Sequence, residues 1–208
     1  MRRPTLTSLF GGCLWSCATL AESKGCFLAG AEVSMADGTV KLLQDVHVGD
    51  AVLSWDDDAQ RLAPSTVKAN PAFLREPADL VEVALPHATF YATVDHPFWS
   101  RGRRGLVSAS PNLTAAEYGL TANEFSDGEE LEHHQGGALR GVAARLRRPS
   151  SMASVGLRGR RLGAAAEAAA IEVRTLCLEP LHWFYVHGVR VHNKGCFVKT
   201  TEVSMASG

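Results

Sequence analysis

The 208-residue chain has no uninterrupted apolar run of about 18 residues, the length a helix needs to cross a bilayer, so no integral membrane segment is expected. It has no excess of either charge: 21 Lys plus Arg stand against 22 Asp plus Glu, a net charge of -1. Without a basic field to draw in phosphate backbones, nucleic acid is not an expected partner. The CxxC spacing of zinc sites is also missing. The five cysteines (Cys13, Cys17, Cys26, Cys177, Cys196) are an odd number, which no complete set of intramolecular disulfides absorbs. What is present suits a packed core: 46 % hydrophobic and 21 % charged residues are near soluble globular averages and exclude disorder throughout.

The length fits one domain of ordinary size plus a tail. Arg2 and Arg3 precede a moderately apolar run from Leu9 to Leu20, and the small residues Thr19 and Ala21 stand before Glu22. This resembles a secretory signal and points to export. The end of an upstream segment is the rival reading, and localisation is left open. Cleavage after Ala21 would leave three cysteines, so at least one thiol would lack an intramolecular partner; Cys26 is the candidate reactive one.

Internal repetition is the strongest signal. Residues 24–38 read KGCFLAGAEVSMADG and residues 194–208 read KGCFVKTTEVSMASG, with ten of fifteen positions identical at a spacing of 170. Such self-similarity defines the unit before any fold is argued. The unit runs from Cys26 to Asn193, after an upstream segment at 1–25, and residues 194–208 read as the start of a second, truncated repeat.

Within the unit the periodicity is that of short strands. Ala31–Met35 and Val40–Leu43 flank the turn signal Ala36-Asp37-Gly38, and Val46–Asp50 with Ala51–Trp55 reads as a pair broken at Gly49-Asp50. Leu80–Leu85 and Ala88–Val94 flank Pro86-His87; Ile171–Leu178 is one run, and Trp183–Val186 and Val189–His192 are joined by His187-Gly188. An all-β sandwich or barrel is expected. Residues at about 101–170 break the pattern. Six acids without a Lys or Arg occupy 105–139, seven Arg without an acid occupy 140–161, and 163–170 reads GAAAEAAA. This is expected to be a polar, partly disordered insert whose Arg tract pairs loosely with the acidic one. Aromatics for base stacking are missing from that tract, which weighs against a nucleic-acid patch.

Several chemical groups stand at the ends of these strands. Cys26 opens one, where it could be a buried small hydrophobe or a nucleophile. Thr93 and His96 end another, before Pro97, while His192-Asn193 ends the last, with His182 eleven residues before Asn193. Each is weak alone, since a lone His is usually a hydrogen-bonded structural residue. One reaction uses all of them: scission of the peptide backbone from within. The Cys26 thiol would attack the carbonyl of Gly25 and convert the amide to a thioester. His96 would protonate the departing nitrogen, and the Thr93 hydroxyl would hold the imidazole or bind the oxyanion. The Asn193 carboxamide nitrogen would attack its own carbonyl, cutting Asn193–Lys194, with His192 as proton donor and His182 as activator. No metal or other cofactor is required.

The same residues resemble a family. CFLAGAEVSMADGTVKLLQDVHVGDAVLSWD is similar to the amino-terminal block of Hint domains, the hedgehog/intein group; TVDHPF resembles their TxxH block, and LCLEPLHWFYVHGVRVHN their carboxyl-terminal blocks. The resemblance implies an all-β, Hint-type horseshoe with a pseudo-twofold that brings two scissile bonds together, and Cys26, Thr93, His96, His182, His192 and Asn193 as its catalytic residues. It implies an intein-like autoprocessing domain, and the Cys start is similar to eukaryotic proteins that join a von Willebrand A domain to a Hint domain; the homing endonuclease of large inteins is not expected, because the insert lacks paired acidic motifs on apolar helices and is too polar to form its own core. The substrate would be the chain's own flanking segments, with water or a small thiol taking the thioester, in a single turnover.

Two positions depart from the pattern. Lys194 follows Asn193, where splicing inteins usually carry Cys, Ser or Thr, so self-cleavage is expected rather than ligation; a Lys amine is mostly protonated near neutral pH. Thr175 stands where many inteins carry an aspartate that couples the two steps. Both would also suit a degenerate, inactive Hint scaffold serving as a binding or structural module. A third reading, a zinc module using Cys26, His96, His182 and His192, has suitable residue types without clustered spacing.

Overall fold

The computed structural model describes residues 26–148 and 170–193. The signal-like segment, Gly25, the stretch at 149–169 with most of the Ala-rich run, and the second repeat from Lys194 onward lie outside the described residues. Within them the chain is almost wholly antiparallel β-structure with one short α-helix.

The strands are β1 (Phe27–Leu28), β2 (Glu32–Ser34), β3 (Val40–Leu42), β4 (Ala51–Asp56), β5 (Arg61–Ala69), β6 (Ala72–Arg75), β7 (Leu80–Ala84), β8 (Thr89–Thr93), β9 (Phe98–Ser100) and β10 (Gly105–Ser108). After α1 (Pro111–Tyr118) come β11 (Asn123–Glu124), β12 (Glu129–Gln135), β13 (Ala138–Arg147), β14 (Ile171–Arg174), β15 (Cys177–Glu179), β16 (Trp183–Val186) and β17 (Val189–His192). One large sheet runs β3-β2-β16-β17-β9-β12-β13-β7-β8-β1-β14-β6, with β10 and β11 beside β9; β15-β5-β4 form a second, three-stranded sheet.

Three expected hairpins form. β2 and β3 pair across Ala36-Asp37-Gly38, β7 and β8 across Pro86-His87, and β16 and β17 across His187-Gly188. The last turn has both central residues left-handed, His187 at φ 46° and Gly188 at φ 78°. That is the backbone twist a two-residue hairpin needs. Gly188 is also required sterically, because a Cβ there would overlap the His133 ring.

Other expectations need correction. Val46–Asp50 is not the partner of Ala51–Trp55; it ends in a turn with Gly49 at φ 93°, and β4 pairs instead with β5 in a register that sets Leu53 opposite Pro64. A proline without an N–H to give the ladder hid that strand. The run Ile171–Leu178 divides into β14 and β15, which join different sheets.

The insert expected at 101–170 is not set apart from the fold as far as residue 147. β12 pairs with β13, β9 and β17, and β13 pairs with β7, so this hairpin joins the two flanks of the large sheet. Its acidic and Arg-rich tracts are neighbouring strands of one ladder. Their charges concealed them because the buried ones are neutralised in place. The Glu129 carboxylate accepts from the Ser100 hydroxyl at 2.5 Å and from Arg103 Nε at 2.9 Å, and Glu132 faces Arg190 at 3.3 Å. Buried charges persist only when paired in this way.

The core is continuous across the sheet. Phe27 lies 6.1 Å from Phe90, 6.3 Å from Phe98 and 6.0 Å from Phe184, ring centre to ring centre, and Leu131 and Ala144 of the β12–β13 hairpin belong to the same cluster. Burial of each such aromatic contributes about 1.5–3 kcal/mol.

Candidate active site

Two short sequences meet at the connection between β8 and β9. Cys26 precedes β1, which lies between β8 and β14, with Phe27 opposite Ala92 and Arg174. Continuing both registers by one residue sets Cys26 between Thr93 and Thr175. On the other flank β17 lies against β9, Val191 opposite Phe98. The turn at residues 94–97 is therefore the link between the two ends of the unit, and Cys26 and Asn193, 167 positions apart in sequence, are both anchored to it.

The anchoring is specific at each end. The backbone N–H of Cys26 donates to Thr93 Oγ1 at 2.9 Å, and the N–H of Thr93 donates back to the Cys26 carbonyl at 2.9 Å. The Thr93 hydroxyl thus meets the nitrogen of the Gly25–Cys26 bond, not the imidazole. His96 closes the turn, its N–H on the Thr93 carbonyl at 3.0 Å; its ring is 1 % exposed and packs 4.2 Å from Phe27 and 5.6 Å from Phe98. From below, α1 braces the turn through the Thr114 hydroxyl, which donates to the Asp95 carbonyl at 2.8 Å, and through Tyr118, whose ring lies 6.4 Å from that of His96. Cys26 is fully buried and carries a thiol, not a disulfide.

At the downstream end, the N–H of His192 donates to the Pro97 carbonyl at 3.0 Å and that of Asn193 to the His182 carbonyl at 2.6 Å. The rings of His182 and His192 are 6.3 Å apart. His182 is exposed, whereas Asn193 is 1 % exposed. Neither Nδ2 nor Oδ1 of Asn193, nor Nδ1 of His192, has a hydrogen-bond partner among the described residues. Leaving a buried polar group unsatisfied costs about 1–3 kcal/mol, and such groups cluster where function requires them. Burial, then His182 and Arg190, push His192 down to about 4, with Asp57 opposing, so its imidazole is neutral near pH 7.

Cys26, Thr93, His96 and His192 are thus tied to one turn and its flanking strands, Asn193 and His182 adjoin it through His192, and Thr175, buried, continues the register beside Cys26. Among the described residues no group of three or more His, Cys, Asp or Glu side chains could hold a metal ion, so the zinc reading finds no ligand set there. No described helix is long and apolar enough to cross a membrane.

Sequence reasoning missed the residues that support the downstream end. Ser54 Oγ donates to the Trp183 carbonyl at 2.6 Å, and Ser65 Oγ both donates to the carbonyl and accepts from the N–H of Leu181 at 3.2 Å. The small sheet therefore grips His182 from both sides. Arg190, inside the apolar run of β17, was the available clue: a charge amid buried valines must have partners.

No family model matches the chain, and no curated protein does. Solved structures do match. An intein-like bacterial domain from Clostridium thermocellum superimposes with a TM-score of 0.55 at 18 % identity over 82 % of this chain and 100 % of its own. A DnaB intein from Synechocystis sp. PCC 6803 gives 0.56 at 14 % identity over 81 % and 98 %. The gp41-1 intein gives 0.50 at 16 % over 82 % and 100 %. At these identities the likeness concerns the fold: the chain has the all-β, intein-like Hint fold.

Proposed function

We propose that residues 26–193 are an autoprocessing domain that cleaves its own backbone at both ends. The observation that carries this reading is the pairing of the Cys26 and Thr93 backbones on the turn that also holds His192, beside an Asn193 carboxamide buried with no partner among the described residues.

Upstream, Cys26 Sγ gives up its proton as it adds to the Gly25 carbonyl, the C–N bond breaks, and His96 relays that proton to the departing nitrogen, which becomes the Cys26 amine. Thr93 Oγ1, already bonded to that nitrogen, keeps it oriented toward the donor. Water or a small thiol then takes the acyl group and releases the upstream segment. Downstream, Asn193 Nδ2 attacks its own carbonyl carbon, and the bond to Lys194 breaks with formation of a succinimide. A neutral His192 can accept the Nδ2 proton and pass it to the leaving nitrogen, so the proton count balances. That shuttle replaces the purely proton-donating role expected of His192, because a base whose pKa is near 4 carries little proton at pH 7. His182 holds the Asn193 N–H and activates the carboxamide.

Cleavage without ligation follows from Lys194, since no thiol or hydroxyl stands there to receive the acyl group. The repeat at 194–208 supports an array in which successive units release themselves. Kinship with the von Willebrand A–Hint type rests on the Cys-start resemblance alone. The alternative, an inactive scaffold, is favoured by Thr175 in place of the coupling aspartate.

The full chain behind an upstream reporter, analysed by intact mass and on denaturing gels with and without dithiothreitol, separates these. Thiol-dependent release in wild type but not in Cys26→Ala supports autoprocessing. Intact bands for both leave the scaffold.

A further inference from the structure

Near the downstream bond is a cluster that the proposed reaction does not use. Arg190 is 2 % exposed, and its guanidinium lies 3.8 Å from the ring centre of Trp183, 4.8 Å from Trp99 and 5.1 Å from Trp55. It donates to Asp57 at 2.7 Å and to Glu132 at 3.3 Å. The other Asp57 oxygen accepts from Trp183 Nε1 at 2.6 Å, so one carboxylate ties the cation to the indole. The opposite end of that indole matters for the site: its ring meets the His192 ring at 4.7 Å and 87°, and Trp183 and His192 are paired in the β16–β17 ladder.

An isolated buried guanidinium is costly, and a hydrophobic replacement would serve stability as well or better. A caged one gives rigidity instead: three indole faces and two carboxylates restrain it, with only its buried Nε lacking a hydrogen-bond partner among the described residues. We infer that Asp57, Arg190 and Trp183 are a positioning assembly that holds the His192 imidazole in one orientation for the Asn193 step. This rests on the proposed downstream cleavage. Five elements converge to make it: β4 with its turn, β9, β12, β16 and β17. The charged or titratable groups facing His192 are His182, Arg190 and Asp57, the first two opposing its protonation and the last favouring it.

Asp57 is the lever, because its side chain is 60 % exposed and can lose its charge without opening the core. In the full chain carrying Asp57→Asn, cleavage at Asn193–Lys194 should slow about ten-fold or more through misorientation, while dithiothreitol-dependent scission at Gly25–Cys26 stays at the wild-type rate. Asp57→Glu should restore most of it. A second readout does not need cleavage. In the Cys26→Ala, Asn193→Ala background, NMR titration of His192 should show a midpoint moved to lower pH by Asp57→Asn and to higher pH by Arg190→Gln. An unmoved His192 midpoint, or equal slowing of both cuts alongside a lower melting temperature, would overturn the assignment and leave a stabilising cluster only. If wild type cuts neither bond, the autoprocessing reading fails, and the titration still decides whether this assembly governs His192.

Discussion

Cys26 and Thr93 exchange two hydrogen bonds: the amide of Cys26 donates to the Thr93 side chain, and the amide of Thr93 donates to the Cys26 carbonyl, both at 2.9 Å. The side-chain bond falls on the nitrogen that the proposed acyl shift must expel. Replacing Thr93 by Val keeps the shape and removes the acceptor. The stranded N–H costs about 1–3 kcal/mol of stability. Dithiothreitol-dependent release should fall by about ten-fold or more, with Thr93→Ser close to wild type. A gel time course checks this, and a Val variant releasing at full rate would remove Thr93 from the mechanism.

Asn193 behaves differently from an ordinary buried polar residue. Its carboxamide makes no hydrogen bond to the described residues, so Asn193→Ala loses no bond in exchange for a cavity term of roughly 1 kcal/mol. Relief of desolvation offsets that term. The expected result is a urea midpoint near wild type together with complete loss of the Asn193–Lys194 cut and retention of the upstream one. Intact mass reads both bonds in one spectrum.

Acid should weaken the fold through histidines outside the site. Burial holds His133 down to about 4, helped by His87, His134 and Arg140, and His134 and His187 are also held below the ordinary value of 6.5 by burial. As pH falls below about 6.5 the unfolded chain takes up protons that the folded chain refuses. Stability is therefore undiminished above that point and declines toward pH 4. Urea unfolding across this window should show the slope, and His133→Gln should flatten it. A flat wild-type profile would mean that these rings are not desolvated in solution.

Leu131 tests whether the β12–β13 hairpin belongs to the fold. It is fully buried in the main core. Leu131→Ala should cost about 2–5 kcal/mol by denaturant titration. A silent substitution would restore the view of this region as a detachable insert.

Legibility in the sequence followed the kind of signal each element carries. Hairpins with left-handed or Asp-Gly turns were readable, because their turn residues are chemically required and local. β5 was not, since Pro64 argues against a strand, nor were β12 and β13, since Glu129, Glu132 and the Arg residues read as a solvated loop until their partners are known. The six candidate site residues stood out as a set because they lie at or beside strand ends and the one proposed reaction would use them together. Ser54, Ser65 and the Trp–Arg–Asp cluster were invisible, because a serine that grips a distant carbonyl has no local pattern.

The amino-acid order alone determined the repeated Lys-Gly-Cys-Phe segment, the strand-rich character of the chain between its copies and the chemical groups available there: turn chemistry and period-two alternation are properties of neighbouring residues. Only the tertiary structure decided that the Thr93 hydroxyl meets a backbone nitrogen and not an imidazole, that the acidic and basic tracts lie side by side in the sheet, and that Arg190 is enclosed by three indoles. These depend on strand order and register. Ladder pairing brings residues more than a hundred positions apart within hydrogen-bonding distance, and no local preference records which strand becomes whose neighbour.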